Sequence, residues 1–416
     1  MNKMKLLLSA VMLAAGIGFG GTLVQAAETA SAQAPAAVVQ AATEKVKGKV
    51  WGSHVIELPV ITEIDYEKGL ADDDRLFGQY GCSAVAKTLD NGDTIVGRSM
   101  DLFYSNRPAY VIRTAVPGCY KTVGLAYNAF GGPTFQEAET EGISQEDITS
   151  LIFFTTDNMN EKGLYIESNM RPGETEAETG IKPSSGTNPG AKYRMSFAAL
   201  PRYLIEHAAT VDEAVALART IDVHGMKTKD FDWCGAIYMA DQSGRRGLLE
   251  LVDNKLVWTD GAPGQANFYL NDAYKDKALY GSGYGRFDLL TKEIGNVRTE
   301  KDMMDLIYKV RYTQIMNPET CAFDPVTEFT GLEHPELAEL GKLTAKAAMD
   351  PANHDKVIAL VAAHFDGIRD MSLEELRNDG KNWHSIFQVV ANCNKENIHV
   401  MFFEDPKLVF DFAVAK

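Results

Sequence analysis

The chain has 416 residues, 45% hydrophobic and 24% charged. These are the proportions of an ordinary globular protein, and they exclude wholesale disorder, a collagen-like helix and a coiled coil. Acidic side chains outnumber basic ones 57 to 41, for a formal net charge of −16. That balance argues against a nucleic-acid partner, because phosphate-backbone binding needs clustered Lys and Arg. A small anionic substrate held by one well-placed Arg stays open.

Lys3 and Lys5 precede an apolar run from Leu6 to Val24, and Val24-Gln25-Ala26 supplies the small residues that a signal peptidase reads. Gly16, Gly18, Gly20 and Gly21 leave this run weakly apolar and short for a membrane span. Residues 1–26 are therefore expected to be a cleaved secretory signal, with no stable membrane anchor and a periplasmic or secreted product. No Cys follows the run, which argues against a lipid anchor. Gly16-Ile17-Gly18-Phe19-Gly20-Gly21 matches a dinucleotide-binding pattern, but it lies inside the leader with no strand before it. Export sets an oxidising context for Cys82, Cys119, Cys234, Cys321 and Cys393. They contain no CxxC pair, and an odd number leaves at least one thiol unpaired, either buried and inert or kept for chemistry.

Residues 27–42, rich in Ala, Gln, Ser and Thr, read as a linker. Val50-Trp51 and residues 55–61 have the composition of short strands, and residues 65–75 are charged. From Cys82 the pattern is strand-like. Residues 83–89 and 94–100 flank Asp90-Asn91-Gly92-Asp93, where Asn-Gly predicts a tight hairpin turn with positive φ at both positions. A second hairpin is predicted from residues 150–156, a turn at 158–163 and residues 164–169. Residues 171–192 form a long Gly- and Pro-containing loop, a common lid composition. Residues 193–207 read as a helix kinked or broken at Pro201. Thr210-Val211-Asp212-Glu213 is a capping box opening a helix to about residue 221. Residues 235–240, 247–252 and 255–259 read as consecutive antiparallel strands. Helical signals recur at 301–311, 354–364 and 372–376, and strands close the chain at 385–390, 399–403 and 408–414. Strands grouped in hairpins with helices grouped between them predict an α+β protein of stacked antiparallel sheets covered by helices.

The eight His residues form no HExxH or close ligand pair, and there is neither a phosphate-binding Gly-rich loop ending in Lys-Ser/Thr nor a GxSxG elbow. Neither a metal nor another cofactor is expected. Cys82, Arg98 and Asp101 remain. Pairing about the Asn91-Gly92 turn returns the end of the second strand to Cys82, so a thiol, a guanidinium and a carboxylate converge. The Arg favours thiolate, and the Asp can fix a nearby amine or orient the Arg. A lone Cys on a strand is ordinarily a small buried hydrophobe, and Arg–Asp at this spacing an ordinary ion pair. The three together favour a nucleophile.

The stretch from Cys82-Ser83-Ala84 through Asn91-Gly92-Asp93 to Gly97-Arg98-Ser99-Met100-Asp101 resembles the mature start of choloylglycine hydrolases and penicillin V acylases. That family of N-terminal-nucleophile hydrolases cuts linear amides. Its pattern places Cys first, then a turn with Gly, then Gly-Arg-x-x-Asp at this spacing. Asn160-Glu161-Lys162-Gly163-Leu164 is similar to the family's second motif, a turn before a strand that carries a residue near the oxyanion. The resemblance covers about residues 82–415 and implies a four-layer αββα fold. It implies Cys82 as nucleophile, its own α-amine as general base, Asp101 holding that amine, and Arg98 supporting thiolate and substrate. An unperturbed α-amine titrates near 7.7–8.0, so it can accept the thiol proton near neutrality. Asn169 matches the strand residue near the oxyanion, with Met170 the alternative register. Asn267 matches a second oxyanion donor, and Arg286 a late supporting Arg. The Asn267–Arg286 interval is shorter than in bile salt hydrolases.

The implied partner is a small-molecule N-acyl amide, of the conjugated bile acid, penicillin V or N-acyl homoserine lactone type; a homo-oligomer stays possible. Phe103, Tyr104, Tyr110 and Phe130 are acyl-pocket or core residues. Residues 27–81 read as linker and pro-segment, removed by cleavage at Gly81–Cys82, before a catalytic domain at 82–416. Acyl transfer or dipeptide cleavage by the same machinery is an alternative. So is a non-catalytic exported binding protein.

Overall fold

The computed structural model describes residues 45–52, 54–66, 81–103, 107–127, 132–170, 184–227, 232–233, 235–272, 274, 283–310, 313–314, 350–353, 355, 359, 383–402 and 405–414. The expected signal, the linker at 27–42, most of the loop at 171–192, the helix expected at 372–376 and all of that expected at 354–364 but residues 355 and 359 lie outside these residues.

In chain order the principal strands are β1 (Lys49–Trp51), β2 (Val55–Glu57), β3 (Gly81–Thr88), β4 (Thr94–Phe103), β5 (Ala109–Thr114), β6 (Thr122–Tyr127), β7 (Thr155–Asn160) and β8 (Tyr165–Met170). They continue with β9 (Gly235–Ala240), β10 (Arg246–Val252), β11 (Lys255–Asp260), β12 (Gly264–Gln265), β13 (Trp383–Asn392), β14 (Asn397–Phe402) and β15 (Asp405–Ala413). The main helices are α1 (Gln145–Phe153), α2 (Leu200–His207), α3 (Val211–Ala218), α4 (Gly285–Glu293) and α5 (Glu300–Lys309).

One sheet has nine strands in the order β11-β10-β9-β8-β7-β6-β5-β2-β1. The other runs β12-β3-β4-β13-β14-β15, with Thr313–Gln314 also pairing to β13. Pairing is antiparallel throughout both sheets except where β2 lies parallel to β5. The sheets pack face to face around one continuous core that includes Cys82, Ala84, Val96 and Met100 from the smaller sheet and Val111, Leu125, Met159 and Tyr165 from the larger. Helices α1 and α2 cover the larger sheet, and α4 and α5 cover the smaller. The result is the four-layer αββα sandwich expected.

Burial on both faces explains the sequence of β4. Ile95, Gly97, Ser99 and Asp101 alternate with Val96, Arg98 and Met100, and none of these is exposed. Gly97 is where α5 crosses: a Cβ there would lie 2.5 Å from Ile307 and 2.6 Å from Met303. The absent side chain lets α5 press Met303, Leu306 and Ile307 into the sheet, each such burial worth about 1.5–3 kcal/mol.

Several expected boundaries move. Residues 150–153 are the last turn of α1, not a strand. Ser144 caps that helix by accepting from Asp147 N–H, with acidic Glu146 and Asp147 in its first turn. Residues 194–196 form a short strand, and the helix starts only at Leu200, so Pro201 occupies its first turn, where the missing N–H costs nothing, and does not kink it. Thr210 does cap α3, but the Glu213 carboxylate reaches Ala209 N–H (2.8 Å) and the helix stops at Ala218. At the first hairpin Gly92 alone takes positive φ (+90°), because five residues, 89–93, separate the last paired residues, Thr88 and Thr94.

Residues 45–66 fall within the expected pro-segment. The short strands expected there are present: β1 and β2 complete the nine-stranded sheet, and Val55, Ile56 and Leu58 are buried in its core.

Candidate active site

The geometry of the candidate site begins with strand alternation. Cys82 pairs with Met100 and Ala84 with Arg98, which puts the thiol and the guanidinium on the face turned toward the larger sheet. Arg98 Nη2 donates to Cys82 Sγ at 2.9 Å, and the Asp101 backbone N–H also points to that sulfur. Asp101 is three residues from Arg98, hence on the opposite face. There it pairs in register with Gly81, beside the peptide that opens β3.

Arg98 is wholly buried and crosses the interface between sheets. Its Nη1 donates to Asp157 of β7 at 2.6 Å, and its Nε lies 3.7 Å from Glu167 of β8. The Phe387 ring lies 5.6 Å from the guanidinium carbon. Asp157 also accepts from Tyr165 Oη (2.6 Å) and Thr156 Oγ1 (2.8 Å), while Glu167 accepts from the Gln265 amide. Burial works against the Arg98 charge, but Asp157, Cys82 and Glu167 outweigh it and hold the guanidinium firmly protonated.

On the other face Asp101 accepts from Ser385 Oγ (2.5 Å), Ser99 Oγ (2.6 Å) and Arg286 Nη1 (2.9 Å). Burial pushes its pKa above the ordinary value, with Arg286 and the two hydroxyls opposing. Arg286 reaches Asp101 from the first turn of α4 and with its other arm donates to Asn267 Oδ1 at 2.9 Å. Asn267 Nδ2 donates to Asn169 Oδ1 (2.8 Å), and Asn169 Nδ2 to the Cys82 carbonyl (2.9 Å). All six residues singled out in the sequence thus lie in one buried hydrogen-bonded chain around the first residues of β3. In β8 Tyr165, Glu167 and Asn169 share one face by alternation, and it is Asn169 that reaches Cys82.

Cys82 is fully buried. Burial pushes its thiol pKa well up, Arg98 pulls it down, and Asp101 and Glu167 add to the rise. With Gly81 still attached, burial thus favours the protonated thiol over the thiolate.

Asp157, Glu167, Gln265, Ser99 and Ser385 were not read from the sequence. The signal available was charge inside strands buried on both faces, since Asp and Glu are almost never fully buried unless paired. The Asn160-Glu161-Lys162-Gly163 motif has a structural explanation. Asn160 Oδ1 accepts from Lys162 and Leu164 N–H, and its Nδ2 donates to the Ile205 and Ala208 carbonyls, pinning the turn to the end of α2. Gly163 has φ +72°, and a Cβ there would meet the Cys393 carbonyl oxygen at 2.2 Å. Tyr110 is buried in the core of β5. Tyr104, Phe130 and the Phe103 side chain lie outside the described residues. Cys119 and Cys393 are free thiols; Cys234 and Cys321 lie outside. Among the described residues no group of three or more potential ligands is placed to hold a metal ion, and no helix is long and apolar enough to cross a membrane.

No protein-family model and no curated protein matches the sequence. Among solved structures, two variants of a conjugated bile acid hydrolase from Clostridium perfringens match at 12% identity and a TM-score of 0.42, over 80% of this chain and 92% of theirs. A penicillin V acylase from Agrobacterium tumefaciens matches at 14% identity and a TM-score of 0.41, over 80% of this chain and 87% of its own.

Proposed function

We propose that this protein is an exported cysteine amidase that hydrolyses the linear C–N bond of an N-acyl amide through an acyl-cysteine. The observation that carries the reading is the placement of Arg98 on the Cys82 sulfur while Asp101 stands across the strand from the Gly81–Cys82 peptide. A thiol and a prospective amine on one residue each have a charged partner, on opposite faces of one strand.

Activation is cleavage of Gly81–Cys82. The thiol adds to the Gly81 carbonyl, the C–N bond breaks as the nitrogen takes the thiol proton, and a thioester forms. Water then releases Gly81 as a carboxylate and leaves Cys82 with a free thiol and α-amine. The new ammonium is held by Asp101 and adds a third cation to a cluster in which Arg98 and Arg286 face Asp101, Asp157 and Glu167. It also lowers the thiol pKa through its charge.

In turnover the neutral amine takes the thiol proton and sulfur attacks the substrate carbonyl. Asn169 and Asn267 amide hydrogens stabilise the oxyanion. The ammonium then protonates the departing amine. Water, deprotonated by the same amine, cleaves the acyl-cysteine to a carboxylic acid. Conjugated bile acids, phenoxyacyl penicillins and N-acyl homoserine lactones are the substrate types to assay.

The test is N-terminal sequencing of protein from its native compartment, with an N-acyl amide panel assayed on wild type, Cys82→Ser and Cys82→Ala. Expected are a chain beginning at Cys82, equimolar acid and amine products, and no turnover by Cys82→Ala. Full amidase activity from a chain that begins at Ala27 and continues intact through Cys82 would refute the reading.

A further inference from the structure

We infer that residues 45–66 stay docked after the chain is cut before Cys82, so that the mature protein is two chains held without a covalent link. The cut rests on the reading above; the docking does not. Strand β2 pairs in parallel with β5, Val55 opposite Ala109 through Glu57 opposite Val111. The pairing is extended by Leu58 N–H to the Val111 carbonyl (3.0 Å), Ile61 N–H to Arg113 (2.9 Å) and Ala115 N–H to Ile61 (2.8 Å). Without this segment β5 would present an unpaired row of backbone donors and acceptors at the edge of the sheet.

Side chains add anchors along the segment. Val55, Ile56 and Leu58 are at most 3% exposed. Glu57 accepts from Trp51 Nε1 and Arg113 Nε, each at 2.8 Å, and Arg113 continues to the Ala413 carbonyl at the far end of the smaller sheet. Trp51 packs edge-on against Phe410 and Phe412 of β15. Tyr66 donates to Glu206, itself bonded to Arg202 and Thr114 in a buried polar network under α2. The segment thus closes the open side of the sandwich by touching both sheets. Backbone pairing, apolar burial and buried polar anchors all survive hydrolysis of a bond fifteen residues beyond Tyr66.

The test uses the full exported chain with a C-terminal affinity tag, Cys82→Ala to silence self-cleavage, and a recognition sequence for a site-specific endoprotease inserted between Gly78 and Gln79. After complete cutting, the N-terminal piece is expected to stay on the tagged chain through native washing and size exclusion and to leave only in denaturant. A piece that washes off while the remainder keeps its far-UV circular dichroism and monodisperse elution overturns the inference. Ile56→Asp is expected to speed release of the cut piece by about ten-fold or more. Should that variant fail to fold, Ile56→Ala in the same assay is expected to speed release by about three-fold. Release as slow as from the parent would overturn docking through β2. A wild-type chain that never cuts itself refutes the self-processing reading, whereas a piece lost from the engineered cut refutes the docking.

Discussion

Arg98 and Asp101, three residues apart on one strand, work on opposite faces of the sheet: Arg98 meets the Cys82 sulfur, and Asp101 sits opposite the peptide before it. An odd spacing on a strand does this by geometry alone. Under the proposed cleavage before Cys82, it would give the thiol and the new amine separate partners.

That division predicts different failures. Asp101→Asn removes the carboxylate that would hold the ammonium and raise its pKa. In chain already cut before Cys82, the acid limb of the kcat/KM profile is expected to move down by about one pH unit. Arg98→Gln is expected to slow iodoacetamide labelling of Cys82 about ten-fold or more in the same cut chain, through loss of thiolate stabilisation. Equal effects of both substitutions on both readouts would contradict the assignment.

The uncut chain carries its own pH signature. Burial raises the folded-state pKa of both the Cys82 and Cys393 thiols. An unfolded Cys titrates near 8.5, so above about that pH the unfolded state binds fewer protons than the folded one and stability falls with rising pH. Urea midpoints measured between pH 7 and 10 on Cys82→Ala and Cys82→Ala/Cys393→Ala proteins are expected to show progressively shallower declines. Matching slopes would exclude these thiols as the cause.

The two carboxylates around Arg98 are unequal. Asp157 lies 2.6 Å from the guanidinium and Glu167 3.7 Å, with Glu167 also held by Gln265. Asp157→Asn leaves a buried cation poorly compensated and is expected to cost about 3–5 kcal/mol in urea unfolding. Glu167→Gln is expected to cost less than half as much, and a reversed order would mean that Glu167 is the principal counter-ion.

Two glycines separate kinds of crowding. At Gly163 an added methyl meets a backbone carbonyl at positive φ, so Gly163→Ala is expected to destabilise by about 2 kcal/mol or more. At Gly97 it meets the side chains of Ile307 and Met303. Gly97→Ala is expected to cost about 1–2 kcal/mol, because Met repacks. Thermal melts of both variants decide the order.

Local pattern carried a good part of this. Cys82, Arg98 and Asp101 belong to one hairpin, so turn chemistry and two-residue alternation bring them together without knowledge of any other strand. The helix over residues 145–153 was misread because Ile152, Phe153 and Phe154 suit strands. Its real signal was a capping Ser followed by two acids, which competes poorly with an apolar run.

From the sequence alone came the class of fold, the hairpin, and six residues that meet in one buried hydrogen-bonded cluster. Tertiary structure alone decided that Asp157 and Glu167 meet Arg98 across the sandwich, that Ser385 reaches Asp101 from a strand 284 residues further on, and that residues 45–66 complete a sheet. Neighbours within a hairpin follow from covalent connection and the pleat. Registers between distant strands are set by burial summed over the whole core, which no local window of sequence contains.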